Sequence, residues 1–64
     1  MEQDALLTLL ESELEKTIAL ARYFAQMAVR HSAEPAWKNA AELAARTVNE
    51  YQKAVEDRRK SLEN

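Results

Sequence analysis

The apolar residues of this sequence recur at steps of three and four in two separate runs, one before and one after Pro35. The first run follows Leu7, Leu10, Leu14, Thr17, Ala21, Phe24, Ala28 and His31, and the second follows Trp37, Ala41, Ala44, Val48, Tyr51, Val55, Arg58 and Leu62; Thr17, His31 and Arg58 are the polar members of these runs. Such spacing is typical of amphipathic helices, and the residues between these positions are mostly strong helix formers. The sequence therefore predicts two long helices.

The two runs are out of phase with each other. Extending the register of the first run through Pro35 reaches Lys38 and Asn49, on a mostly polar seam, so a single continuous helix would lose its apolar stripe. Proline is tolerated in the first turn of a helix, whereas the residue before it is pushed away from helical geometry. We therefore expect an all-α fold, an antiparallel two-helix hairpin. The expected organisation is one domain over residues 1–64, with helix 1 at about 4–31, a loop at about 32–35 and helix 2 at about 35–62.

The two stripes also predict which residues face each other across the hairpin. Phe24 is expected to meet Ala44 and Leu14 to meet Val55, so that large side chains pack against smaller ones. The other expected neighbours are Ala28 with Ala40, Ala21 with Val48 or Thr47, Thr17 with Tyr51, and on the rim Glu15 with Lys53. This register would let the two backbones approach closely near the loop, where the alanines lie.

Helix 1 carries more apolar surface than one neighbouring helix covers. Its apolar arc spans roughly 200° of the circumference, against the ~100° that packing on one partner requires. The surplus falls on one face of the hairpin and comprises Leu6, Leu9, Leu20, Tyr23, Phe24, Met27, Leu43 and Thr47. Because such patches mark interfaces, we expect two hairpins to bury these faces together as a four-helix bundle. Alternatively, part of this face binds a different protein, and the residues then reserved for it are Leu9, Leu20, Tyr23 and Met27.

The length of the chain is a second reason to expect association. A chain of 64 residues buries barely enough apolar surface to offset its conformational entropy. The sequence has no cysteine for a disulfide and no His/Cys cluster for a structural metal. It also has no glycine for a phosphate-binding loop and no apolar run long enough to cross a bilayer. We expect a soluble, cytoplasmic protein that is stabilised by association and has no membrane partner.

Residues suited to catalysis are sparse. His31 is the only histidine, and no Glu-x-x-His pair occurs on either predicted helix. Its expected role is to cap the end of helix 1, where a cation meets the negative end of the helix dipole. The serines and threonines have no histidine at helical spacing, and no glycine-rich segment could stabilise an oxyanion. Glu13 lies within the apolar flank and is a candidate for setting register or partner choice. We expect no enzyme, no cofactor and no metal site.

The one basic run, Arg58-Arg59-Lys60, could contact phosphate groups. Acidic residues flank it, and the net charge of -2 is opposite in sign to the basic footprint of nucleic-acid-binding domains. The favoured interpretation is therefore a non-enzymatic protein-interaction module, an adaptor, inhibitor, assembly chaperone or regulator that acts as a homodimer through its apolar helix faces. The alternative is a small nucleic-acid-binding regulator that uses the basic C-terminal end.

Overall fold

The computed structural model describes residues 4–63, which form a helical hairpin. Helix α1 spans Ala5–Arg30 and helix α2 spans Pro35–Glu63, and residues 4–63 contain no strand. The two helices pack side by side along a rod of about 50 × 16 × 11 Å. The all-helical, two-helix hairpin predicted from the phase break at Pro35 is confirmed.

Both ends of α1 are fixed by local hydrogen bonds. Asp4 is the N-cap: its carboxylate accepts a hydrogen bond from the Leu7 N–H at 2.9 Å, which satisfies one of the free donors of the first turn. At the other end the His31 N–H donates to the Met27 carbonyl at 2.8 Å. A short turn follows, in which the Glu34 N–H donates to the His31 carbonyl at 2.9 Å, and α2 begins at Pro35. Proline suits this position because the first helical residue needs no N–H donor.

The helices meet along the two predicted stripes. Phe24 and Ala44 line one groove together, and Leu14 and Val55 line another, as the predicted register requires. Only Ala44 and Val55 are buried among the described residues, with 7% and 4% of their surface exposed. The rest of each stripe is mostly half-buried, because two helices alone can cover only one side of each other. The hairpin therefore has a seam of contact rather than an enclosed core.

Two positions at the ends of the stripes differ from the sequence expectation. Leu62, placed on the contact stripe of helix 2, lies in the last turn of α2 and is half exposed. His31, placed at the end of the first stripe, is exposed, and it is its backbone N–H that caps α1. The periodic pattern in the sequence thus extends about one turn further, at each of these two positions, than the contact between the helices.

The predicted rim pair between Glu15 and Lys53 is wrong. Three ion pairs between a Lys or Arg and a carboxylate form within residues 4–63, and none of them joins these two side chains. Lys53 precedes the buried Val55 by two residues, which places it about 200° around the helix from the contact seam. Glu15 instead borders the cavity that Gln52 and Glu56 line from α2.

Candidate protein-interaction surface

Large apolar side chains lie exposed on one side of the hairpin. The predicted interface residues Leu6, Leu9, Leu20, Tyr23 and Leu43 are all about half exposed or more, with Leu43 at 64% and Leu9 at 58%. The remaining three predicted residues, Phe24, Met27 and Thr47, are half-buried at the base of the same surface. We call the surface formed by these eight residues the apolar face.

A groove between the helices forms the centre of the apolar face. Its volume is about 350 Å³, and it is lined by Thr17, Leu20, Phe24, Ala40, Leu43, Ala44, Thr47 and Tyr51. The Thr17 hydroxyl donates to the Glu13 carbonyl at 2.7 Å, and the Thr47 hydroxyl donates to the Leu43 carbonyl at 3.0 Å. Because both hydroxyls are bonded to their own helix, these threonines need no polar partner from a molecule that docks in the groove.

An aromatic cluster lies at the loop end of the apolar face. The Tyr23 and Phe24 rings of α1 both contact the Trp37 ring of α2, with ring centroids 6.4 and 6.3 Å apart. The His31 imidazole stacks on the Trp37 ring, with the ring centroids 5.8 Å apart and the two planes 25° from parallel. Such spacings are within the range of favourable aromatic contacts, so the cluster ties α1, the turn and α2 together.

Charged residues border the apolar face at its middle. Glu13 is half-buried, and its carboxylate is 3.5 Å from the Lys16 ammonium one turn further along α1. Glu50 of α2 is exposed and borders a smaller apolar cavity that Leu10 and Ala54 also line. Glu13, predicted to influence register or partner choice, therefore lies beside the surface on which it would act.

The basic run lies at the opposite end of the hairpin from the loop, where two of its members bind carboxylates of α1. The Arg58 guanidinium donates from Nε and Nη2 to the two carboxylate oxygens of Asp4, each at 2.8 Å. Arg59 Nη2 donates to Glu11 Oε2 at 2.6 Å. Lys60 lies in the last turn of α2, near the negative end of its dipole. The residues predicted as possible nucleic-acid contacts are thus close together in space, and the two arginines already have acidic neighbours.

The contact with Arg58 changes the acidity of Asp4. The hydrogen bonds from Arg58, together with the one from the Leu7 N–H, lower the pKa of the Asp4 carboxyl to about 2. Hydrogen bonding to the carboxylate in turn raises the pKa of Arg58. Both shifts favour the charged forms, so the pair stays ionised at neutral pH.

Sequence reasoning missed the role of Asp4 and the exposure of Val29. An Asp directly before an apolar periodic run is an N-cap signature, and an arginine on the contact stripe signals a carboxylate opposite it, so Asp4 could have been found. Val29 is 79% exposed, and it follows Arg22 by one heptad on the polar side of α1. It therefore lies outside the apolar face.

The polar side of the hairpin also has a groove, of about 430 Å³, whose floor is formed largely by alanines with Val48 and whose rim includes Arg22, Asn49 and Gln52. No three His, Cys, Asp or Glu residues of the described chain converge where they could hold a metal ion. Within the same described residues, neither helix is sufficiently long and apolar to cross a bilayer.

Comparisons with protein-family models, with curated proteins and with solved structures find no match to this chain.

Proposed function

We propose that this chain is a non-enzymatic protein-interaction module that pairs with a second copy of itself through the apolar face. The observation that carries the proposal is the distribution of its large apolar side chains. Within the described chain only the small residues Ala44 and Val55 are buried, whereas Leu9, Leu20 and Leu43 are among the exposed members of a single face. Exposed apolar surface concentrated in this way is characteristic of an interface.

The exposed surface area of the chain supports pairing with a second hairpin of the same size. It exposes 5250 Å², whereas a compact monomer of 7.3 kDa exposes about 4,200 Å² by the usual scaling of area with mass. The difference, about 1,000 Å², is somewhat more than the ~800 Å² that each partner buries in a standard interface. A second hairpin on the apolar face would remove this excess and complete a four-helix bundle with an enclosed core.

Such a module acts by occlusion or bridging. Apolar side chains supply the affinity, and charges at the border, such as Glu13, supply selectivity for the partner. Adaptors, inhibitors, assembly chaperones and regulators all work in this way, and for this chain the pairing of two copies is the first step. Any further protein partner would bind the bundle that results.

The basic end gives less support to nucleic-acid binding. A phosphate group approaching Arg58 or Arg59 would compete with the carboxylates of Asp4 and Glu11, which already accept their hydrogen bonds. Releasing those contacts costs part of the energy that phosphate binding would provide. The interaction module is therefore the favoured function.

The test is a matched pair of charge insertions on α1. Leu20→Glu places a carboxylate in the apolar groove, and Val29→Glu places one at the exposed position outside the apolar face. Sedimentation equilibrium at micromolar concentration is expected to give a dimer for the wild type and Val29→Glu, and a monomer for Leu20→Glu. Circular dichroism checks that each variant remains helical. A monomeric wild type, or equal masses for the two variants, would overturn the proposal.

The same variants distinguish other proteins that bind the apolar face from proteins that bind elsewhere on the chain. Proteins captured from the native host by both the wild type and Val29→Glu, and absent with Leu20→Glu, bind through the apolar face or through the dimer it forms. Proteins captured equally by all three do not depend on this surface.

A further inference from the structure

We propose that the two copies pair with their loops at the same end of the bundle, so that α1 of each copy lies against α2 of the other. This inference rests on the proposed self-association and specifies its geometry. Two hairpins that bury the same face can be related by a twofold axis along the rod or by one across it. The first places both loops together and pairs α1 with α2, whereas the second places the loops at opposite ends and pairs each helix with its own copy.

The charges at the middle of the apolar face distinguish the two arrangements. Lys16 and Glu50 are both exposed, and each directly precedes a residue of the central groove, Thr17 or Tyr51, so they lie at the same level along the rod. Both are also within two residues of the midpoints of their helices. An axis across the middle of the rod would therefore bring Glu50 close to Glu50 of the second copy, and Lys16 close to both Lys16 and Glu13 of the second copy, because Glu13 lies one turn from Lys16 on α1. An axis along the rod brings Lys16 opposite Glu50 of the other copy, twice in each dimer.

The exposed residues at heptad spacing from these charges fit the same arrangement. On α2, Leu43 precedes Glu50 by one heptad, and on α1 Tyr23 follows Lys16 by one heptad, so each pair lies along one line of its helix. With the loops together, Leu43 meets Tyr23 of the second copy. With the loops apart, Leu43 would be level with Asp57 of the second copy, one heptad beyond Glu50, and a half-exposed leucine would face a carboxylate.

Side-chain size along the inner edge of the apolar face gives a second, independent reason. The inner edge of α1 is the heptad line Leu6, Glu13, Leu20 and Met27, which apart from Glu13 carries large apolar residues, and the inner edge of α2 is the heptad line Ala40, Thr47 and Ala54, which carries small ones. With the loops together, large residues meet small ones on both sides of the bundle, and the helices keep an even separation. With the loops apart, large would meet large between the two α1 helices, and small would meet small between the two α2 helices, which leaves gaps.

A distance measurement tests the arrangement directly. The chain has no cysteine, so Ser32→Cys provides a single labelling site in the exposed turn. With nitroxide labels on both copies, we expect a distance below about 25 Å, which is set by the width of a four-helix bundle. With the loops at opposite ends, the labels would be separated by roughly the length of α1, about 40 Å at 1.5 Å per residue. A dimer with the longer distance overturns the arrangement alone, whereas a monomer with no dipolar coupling overturns the proposed self-association as well.

Charge reversal provides the second readout. Lys16→Glu and Glu50→Lys are each expected to raise the dimer dissociation constant by about tenfold, because each turns two attractions into repulsions. The double variant restores opposite charges across the interface and is expected to return to within a few-fold of the wild type. Lys38→Glu, which makes the same charge change on the polar side, is the matched control and should leave dimerisation unchanged. Single variants that do not weaken the dimer, or a double variant no tighter than the singles, would contradict the facing of Lys16 and Glu50.

Discussion

Arg58 binds Asp4 through two parallel hydrogen bonds, with Nε and Nη2 each 2.8 Å from a carboxylate oxygen. The same carboxylate caps α1 through the Leu7 N–H. One side chain therefore both begins the first helix and ties it to the last turns of the second. A bidentate pair of this kind fixes geometry as well as charge, so it sets the register of the hairpin at the end away from the loop.

This contact predicts a specific loss of stability in acid. The pKa of Asp4 is lowered from 3.8 to about 2 in the folded chain, so the unfolded chain binds a proton more readily. The contribution of the pair is thus fully present above about pH 4 and is lost as the pH falls from about 4 to 2. Asp4→Asn removes the charge but retains a good N-cap residue. Urea unfolding between pH 2 and 7 should show a steeper loss for the wild type than for Asp4→Asn over the acid range.

The remaining carboxylates are common to both proteins and cancel in this comparison. Parallel stability curves for the wild type and Asp4→Asn between pH 4 and 2 would contradict the role of the pair. Arg58→Met, which removes the largest cause of the pKa shift, should give a curve between those of the wild type and Asp4→Asn, because the Leu7 N–H still lowers the pKa of Asp4.

The second cross-helix pair, between Arg59 and Glu11, is expected to matter little. Both side chains are about half exposed, and a single hydrogen bond joins them. Exposed pairs of this kind contribute less than about 1 kcal/mol, because solvent screens the charges and two long side chains lose freedom. Glu11→Gln should therefore change the free energy of unfolding by less than about 1 kcal/mol at neutral pH, and most of that change should disappear in 1 M salt. A loss of more than about 2 kcal/mol would mean that this end of the hairpin is less accessible to water than its exposure indicates.

The hairpin could be predicted because its cause is local. The steps of three and four on either side of Pro35, and the change of phase across it, exclude one continuous helix and leave few other topologies for helices of this length. The register followed from matching large to small residues, and Phe24 with Ala44 illustrates it. The positions of individual charges were less predictable. Lys53 was assigned to the rim from its level along the rod, although its angle around α2 directs it away from α1.

The eight residues of the apolar face could be chosen from sequence because a helical wheel gives the angle of each residue. Their exposure could not, since it depends on how far the neighbouring helix covers them. Thus Leu43 is 64% exposed whereas Phe24, on the same face, is half-buried between the helices. The turn is a similar case: the stacking of His31 on Trp37 depends on the path of residues 31–34, which no periodic pattern encodes.

The contact seam predicts a contrast between two valines. Val55 is 4% exposed and Val29 is 79% exposed, so the same substitution to alanine tests burial alone. Val55→Ala should lower the free energy of unfolding by about 2 kcal/mol through lost apolar burial and a partly filled cavity, and Val29→Ala by less than about 0.5 kcal/mol. Both are measured by urea unfolding at one protein concentration, since dimerisation would make stability depend on concentration. Equal effects would mean that the helices do not pack along the Val55 seam.

The state of the arginines predicts weak binding to nucleic acids. Two of the three residues in the basic run donate to carboxylates, and the chain carries a net charge of -2. A labelled RNA duplex followed by fluorescence anisotropy at physiological salt should therefore show no binding at micromolar protein. Asp4→Asn and Glu11→Gln together remove the negative charges beside both guanidiniums, and this double variant should bind more tightly than the wild type. The nucleic-acid alternative predicts the reverse pattern. The wild type would then bind tightly, binding would fall steeply as the salt concentration rises, and Arg58→Ala or Arg59→Ala would abolish it. Lys38→Ala is the control that should leave binding unchanged. Because the substitutions at Asp4, Glu11, Arg58 and Arg59 alter the part of the rod away from the aromatic cluster, while Leu20→Glu alters the apolar groove, the two functions can be tested without disturbing each other's surface.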